Sequence, residues 1–420
     1  MRRLDREISP PALKRRKLSR SKVETQLPET QSIIQSPTHT LNTIRIFSWN
    51  INGVTPFLQN PITNFFSGSR TSPKEKENNA IPPASLRAFL HRHHWPHILC
   101  LQEVKIAFTD TKTQTALKVA INRRLRIETG TQPRYRSTAE DPGPGPDYEV
   151  YLTLPTDRHN ARGLHNAGKL YGVASIIRSD FLKSSVLDVR TVDWDSEGRV
   201  SVIEIEPPSP SPTDFPSCSS SPGKGLGKMA LFNIYAVNGT DSPYRDPSTG
   251  AVIGTRHDRK LAVHRLLRDE CVQMEKQGWK VLLTGDMNVA PTPLDGYPKL
   301  RTFPYQHCIN RADFLSKFFG VPNVKSKDAD VIEELQFQGV DVWRTMNGEK
   351  RGYTWYSRTK PWGASCDRVD YFIAGKSLWD GNFVKGAGIL ENEAERGVSD
   401  HCPIWTEVKI IGDGEENGGD

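Results

Sequence analysis

From Thr43 the chain changes character, with Ile44, Ile46 and Trp49 alternating against polar neighbours as in a strand. Short apolar runs at 97–101 and 281–284 read as interior strands, and the run 402–405 as another. Further strands are expected at 230–237, 280–284, 369–373 and 403–408, and helices at about 84–95, 257–277 and 311–319. Strands interleaved with a few long helices predict an α/β fold, a two-sheet sandwich flanked by helices.

Polar groups border three of these runs, after the first two and just before the third: Leu101-Gln102-Glu103-Val104-Lys105, Gly285-Asp286-Met287-Asn288 and Ser399-Asp400-His401. A carboxylate at the mouth of a buried strand is costly unless a partner or cation is supplied. Three such ends therefore point to one shared site.

Composition confines the ordered part. Residues 1–40 are rich in Arg, Lys, Ser, Pro and Gln without apolar periodicity, the composition of a disordered arm. Residues 1–22 hold nine Lys/Arg against two acids, which equals the whole formal excess of +7. Within this arm Leu13-Lys14-Arg15-Arg16-Lys17-Leu18 has the form of a nuclear-import signal, so an import receptor and a nuclear location are expected; the plainer reading is a solubilising charge cluster. Low-complexity insertions are expected near 67–84 and at 206–228, the latter with six prolines and six serines. The prolines at 142, 144 and 146 break regular structure. The expected organisation is thus an arm at 1–40, a catalytic domain at 41–411 and an acidic tail at 412–420. Six cysteines without CxxC spacing argue against a zinc site or a disulfide framework. There is no apolar stretch of about 18 residues and no hydrophobic leader, so neither membrane nor secretion is expected.

Hydrolysing a phosphodiester needs a positioned water, a base, a cation for the leaving oxygen and donors for the phosphoryl oxygens. Glu103 offers a hard oxygen ligand for Mg2+. Asp286 and Asn288, two apart, offer a base and an amide. Asp370 and His401 can pair as orienter and imidazolium, and Tyr235 with Asn238 adds a phenol and an amide. Each has a plainer reading: Glu103 as a solvated carboxylate, Asp286 in an Asx turn, His401 as a satisfied core histidine, Tyr235 as core. Asn50 and Asn52 could simply build a turn before Gly53.

The strings FSWNINGV, LCLQEVK, WDSEGRV, NIYAVNG, LLTGDMNVAP, YTWY, DRVDYF and VSDHCPIW follow the order and rough spacing of the exonuclease III type of apurinic/apyrimidinic endonucleases, within the endonuclease/exonuclease/phosphatase superfamily. The chain resembles that group from about residue 43 to 408. The resemblance implies a four-layered α/β sandwich of two mixed sheets flanked by helices, cutting DNA 5′ to an abasic site with Mg2+, or Mn2+ in its place. It implies a monomer acting on duplex DNA with abasic sites or blocked 3′ ends. Glu103, Asn52 and Asp400 would hold the metal. Asp286 would activate water, with Asn50 and Asn288 holding phosphate and water. His401, paired with Asp370, would bind the phosphate, and Tyr235 and Asn238 would complete the cradle. Trp355 and Val369, beside Arg368 at the substrate, would wall a slot for the flipped-out sugar. Asp367 departs from this pattern, since an apolar residue is expected at that wall, and the insertion 240–254 alters a surface near the duplex. The alternatives are a relative acting on RNA 3′ ends, inositol phosphates or phospholipid headgroups, and a non-catalytic DNA-binding scaffold.

Overall fold

The computed structural model describes residues 42–58, 84–125, 144–161, 171–208, 225–321 and 337–410, all in the unit His39–Asp420. The arm 1–40, the tail 412–420 and most of the insertions near 67–84 and 206–228 lie outside the described residues. The first strands are β1 (Thr43–Asn50), β2 (Ile98–Gln102), β3 (Tyr148–Thr153), β4 (Val173–Arg178), β5 (Val186–Thr191) and β6 (Val200–Ile205). They are followed by β7 (Met229–Tyr235), β8 (Pro243–Arg245), β9 (Val252–Thr255), β10 (Lys280–Asp286), β11 (Gly296–Tyr297) and β12 (Val340–Asp341). The last are β13 (Trp355–Tyr356), β14 (Cys366–Asp367), β15 (Asp370–Ala374), β16 (Val384–Ile389) and β17 (Ile404–Lys409).

Two six-stranded mixed sheets form, in the orders β16-β17-β1-β2-β4-β3 and β12-β15-β10-β7-β6-β5. Both faces of the central strands are buried. Because strand side chains alternate between faces, β1 sends Ile44 and Ile46 toward the other sheet and Phe47 and Trp49 outward. Ile44, Ile46, Ile98 and Cys100 of the first sheet pack against Ile203, Leu231, Leu282 and Phe372 of the second. Outside the first sheet, Phe47, Trp49 and Leu99 meet Phe57, Phe89 and Leu117 from the helices Thr55–Leu58, Leu86–Arg92 and Thr111–Asn122. Outside the second, Phe232, Val281 and Leu283 meet Leu267, Cys271, Phe314 and Phe318 from the helices Arg256–Lys276 and Gln306–Phe319. The result is helix, sheet, sheet, helix. Each such fully buried side chain contributes roughly 1.5–3 kcal/mol relative to exposure.

The inter-sheet faces turn polar along the chain. β1 runs Ile44, Ile46, Ser48, Asn50; β2 runs Ile98, Cys100, Gln102; β7 runs Met229, Leu231, Asn233, Tyr235; β10 runs Leu282, Thr284, Asp286. Halfway, a polar seam joins the sheets. Gln102 Nε2 donates to Ser48 Oγ at 3.0 Å and to Asn233 Oδ1 at 2.8 Å, and Asn233 Nδ2 donates to the Ala174 carbonyl at 3.0 Å.

Most expected elements stand within a residue or two of their place. The helix read at 257–277 starts at Arg256 because Thr255 and Asp258 close a capping box. The helix read at 311–319 starts at Gln306 and ends at Gly320, whose φ of +65° suits glycine. The insertion 240–254 carries a hairpin, β8 paired with β9. Among the described residues no helix is long and apolar enough to cross a membrane.

Candidate active site

Where the inter-sheet faces end in polar groups, one cavity of about 280 Å³ opens, lined by Glu103, Tyr235, Asn238, Asp286, Asn288, Trp355, Asp367, Val369, Asp400 and His401. Register brings the acids together. Asp286 at the end of β10 is paired directly with Tyr235 of β7 on one side and with Asp370 of β15 on the other. His401 enters from the turn before β17, held by its own amide on Ser399 Oγ at 3.0 Å and by its carbonyl, which accepts from Trp49 Nε1 at 2.9 Å.

His401 Nδ1 lies 2.7 Å from Asp370 Oδ2. Its Nε2 faces Asp286 Oδ2 at 4.0 Å. Burial alone would lower the His401 pKa, but the charges of Asp370, Asp286 and Asp400 carry it up to about 10, so the ring is a cation at neutral pH. Asp286 rises as well, but here burial is the cause: aided by the charge of Asp370, it pushes the carboxyl up to about 7. Donors moderate that rise, with the Asn288 backbone N–H on Asp286 Oδ1 at 2.9 Å and Asn50 Nδ2 on Oδ2 at 3.0 Å. A carboxyl poised near neutrality beside a cationic imidazole suits general-base work. Burial, together with the charges of Glu103 and Asp286, raises the Tyr235 phenol well above its ordinary range, which keeps it a proton donor.

The EGR string supports this phenol from below. Arg199 lies 5.0 Å from the Tyr235 ring and donates Nη1 to its carbonyl at 3.1 Å. Arg199 is in turn held by fully buried Glu197, which also takes Arg256 at 2.7 Å and Arg259 at 3.2 Å.

On the other flank stand Glu103, Asn52 and Asp400. Glu103 Oε1 pairs with Lys105 Nζ at 2.9 Å. The same ammonium donates to Asn52 Oδ1, and Asn52 Nδ2 donates to Asp400 Oδ1 at 2.8 Å. A cationic group thus already sits between Glu103 and Asn52, and every donor atom there is a hard oxygen, the chemistry a divalent ion such as Mg2+ takes. Asp286, Asp370 and His401 also place ligand atoms within 4.8 Å of one another. There, however, one ligand is an imidazole nitrogen, so the all-oxygen Glu103 side fits Mg2+ better. Asn52, Glu103, Lys105 and Asn288 have φ of +53°, +56°, +57° and +51°. Left-handed backbone at such residues costs about 1–3 kcal/mol each and clusters at working sites.

Two sequence assignments are corrected. Arg368, expected at the substrate, is fully buried and does not line the cavity. Its guanidinium pairs with Asp295 at 2.6 Å and Asp341 at 2.6 Å, bracing the strands behind the slot. Asn50, expected on phosphate or water, is also fully buried. Its amide is spent on Asp286, and its Oδ1 accepts from the Asn52 N–H at 3.0 Å. Asn288 lines the cavity, with its Nδ2 donated to the Ala236 carbonyl at 2.9 Å. Trp355 and Val369 do flank the cavity, and Asp367 stands with them.

The sequence reading missed a basic wall formed by Lys260, Arg301 and Arg311, with His307 beside them held neutral by burial, its pKa lowered to about 4. Lys260 donates to the Asn288 carbonyl at 2.9 Å, and burial brings its pKa down to about 7. Burial raises the Asp367 carboxyl, with Arg301 and Arg311 opposing that rise. Only the placement of Lys105, two residues after Glu103, carried a legible signal.

Residues 47–401 match the model of the endonuclease/exonuclease/phosphatase family, and the chain belongs to it. Its architecture is the phosphodiesterase fold of that family. Among solved structures it is similar to an AP endonuclease from Leishmania major, at 16% identity and a TM-score of 0.55, covering 91% of this chain and 92% of that one. It is also similar to the catalytic domain of APE2 from Xenopus laevis, at 16% identity and a TM-score of 0.50, covering 88% and 94%. No curated protein sequence matches.

Proposed function

We propose that this protein is a Mg2+-dependent DNA-repair phosphodiesterase that cleaves the backbone 5′ to abasic sites and also processes blocked 3′ ends, with Mn2+ able to replace Mg2+. The observation that carries this reading is the meeting in one cavity of Asp286, held near neutrality, the His401–Asp370 pair, Tyr235, and the oxygen cluster Glu103–Asn52–Asp400. Glu103, Asn52 and Asp400 would hold a divalent ion, which would supply positive charge for the leaving oxygen.

The chain's own residues do the rest. Asp286 takes a proton from water as its oxygen attacks phosphorus and the P–O3′ bond breaks; the departing O3′ takes a proton from solvent, leaving a 3′-hydroxyl and a 5′-phosphate. The imidazolium of His401, fixed in orientation by Asp370, donates to the phosphoryl oxygen whose charge grows, and the Tyr235 hydroxyl and Asn238 amide add donors to the same group. Trp355 and Val369 offer a ring and an aliphatic wall to the extruded sugar. The cationic wall of Lys260, Arg301 and Arg311 favours the second activity, because a terminal phosphate needs more positive charge than a backbone diester.

The basic arm is proposed to direct the protein to the nucleus, which a fluorescent fusion of residues 1–40 tests. The activity is tested with full-length protein, Mg2+ or EDTA, and four probes: a duplex with one synthetic abasic site, an undamaged duplex, a 3′-phosphate end and single-stranded RNA. Metal-dependent cutting of the abasic duplex and the 3′-phosphate is expected. Preferential cutting of RNA, or none of DNA, overturns the reading.

A further inference from the structure

The small sheet β11-β14-β13 has two faces. Trp355 and Asp367 are opposite each other in register and line the catalytic cavity. Their neighbours Tyr356 and Cys366, also paired, turn to the other face by strand alternation. There they join Tyr297, Arg351, Tyr353, Trp362 and Glu391 around a second hollow of about 510 Å³. The mechanism above uses none of these groups.

The hollow is built rather than incidental. Trp362 stacks on Tyr356 with ring centroids 3.7 Å apart and planes within 10°. The Tyr356 hydroxyl donates to Glu391 Oε1, and Arg351 donates to the Tyr353 hydroxyl at 3.2 Å. The ring of Tyr297 stands 6.4 Å from that of Tyr353. Tyr297 and Trp362 nevertheless remain 44% and 36% exposed. Large rings held firmly while left open to water mark a binding surface. The surroundings are cationic, with Arg351, Arg358 and Lys360 exposed and the Arg396 guanidinium 4.8 Å from the Trp362 ring.

We propose that this hollow receives one nucleobase of the DNA strand whose backbone passes through the catalytic cavity. Aromatic rings take a base face without regard to its identity. The carboxylate of Glu391 at the rim accepts from an exocyclic amine, which favours adenine, cytosine or guanine over thymine. The cationic surroundings suit a polyanion better than a neutral proline-rich peptide. Because the hollow lies across the small sheet from the catalytic cavity, the captured base belongs to a nucleotide away from the scissile linkage. The inference rests on the DNA-directed reading of the catalytic cavity.

The test uses full-length protein and duplexes carrying one synthetic abasic site, with 2-aminopurine placed in turn one to five nucleotides to either side. In the Asp286→Asn background, fluorescence should be quenched on binding at one position and not at the others. Trp362→Ala and the surface change Tyr297→Ser should each remove that quench, and Trp362→Phe should retain it. In otherwise wild-type protein Trp362→Ala and Tyr297→Ser should raise KM about fivefold with kcat little changed, the fold-change that losing a stack of about 1 kcal/mol gives. Tyr297→Ser keeps the test decisive if Trp362→Ala fails to fold. Cutting at the abasic site with no position-specific quench, or with KM unchanged in Tyr297→Ser, overturns this inference alone. Capture of a synthetic peptide of residues 206–228 that DNA fails to displace reassigns the hollow to a peptide. Failure of wild-type protein to cut any DNA probe removes both readings.

Discussion

The indole N–H of Trp355 donates to Asp400 Oδ2 at 3.2 Å, which fastens the aromatic wall of the slot to the carboxylate that Asn52 also holds. Partners behind a ligand typically change metal affinity or activity 10–100-fold when removed. Trp355→Phe keeps a ring and deletes the bond. The half-saturating Mg2+ concentration is expected to shift about tenfold while the abasic preference survives. A Mg2+ titration of turnover checks this, and an unchanged midpoint disconnects the wall from the metal side.

In the proposed mechanism Asp286 and His401 act on charge that appears during the reaction. Asp286→Asn or His401→Ala should lower kcat by on the order of 10² or more with little change in DNA affinity. Single-turnover rates beside binding isotherms measure both. Near-normal kcat in either variant removes the assigned roles.

The same pair sets a pH profile. The active form needs Asp286 without its proton and His401 with its own. With Asp286 pushed up to about 7 and His401 to about 10, kcat/KM should climb as pH rises through about 7 and fall near 10. The two limbs belong to the pair as a unit. A profile flat from pH 6 to 8 contradicts the assignment of Asp286 as base.

Glu197 predicts a stability effect away from the chemistry. Burial would raise its pKa, but Arg199, Arg256 and Arg259 hold it down at about 2 against an ordinary 4.5. A depressed acid stabilises the fold above its unfolded value, so this contribution is complete above about pH 4.5 and is lost as pH falls from there toward 2. Glu197→Gln strands buried guanidinium groups and should cost about 3–5 kcal/mol at neutral pH. Urea unfolding across pH 2.5–7 should show a lower and flatter curve than wild type, and an unaltered slope below pH 4.5 refutes the claim.

Asp367 faces the cavity with Arg301 and Arg311 as its opposing cations. Asp367→Leu removes negative charge beside a polyanion and completes an apolar wall. Discrimination for abasic over intact duplex should rise and its salt dependence weaken. Cleavage of both duplexes at two salt concentrations decides, and unchanged ratios show that this wall does not touch the sugar.

Several features were legible in the sequence because they follow from local chemistry. Glu103, Asp286 and His401 each sit at the end of an apolar run, and that pattern alone placed them at one end of the sandwich. The helix limits set by the capping pair Thr255 and Asp258 and by the glycine at 320 came only with the structure. The role of Arg368 was not legible, because its partners Asp295 and Asp341 stand 73 and 27 positions away. Nor was the cationic wall, since Lys260, Arg301 and Arg311 come from separate segments and each reads as an ordinary surface charge. The substrate role of Asn50 came from the resemblance; the parallel pairing of β1 with β2 carries it inside instead.

The two sheets contribute different halves of the proposed chemistry: Glu103 and His401 come from the first, Tyr235, Asp286 and Asp370 from the second. Sliding one sheet over the other by a residue would move these halves apart by about 3.3 Å, enough to empty the reaction of its geometry. Hydrophobic contact resists such slippage poorly, because one aliphatic neighbour serves nearly as well as the next. The Ser48–Gln102–Asn233 seam does not tolerate it, since any shift leaves buried amides unpaired. It serves as a dowel between two boards, fixing the alignment of catalytic groups that share no strand.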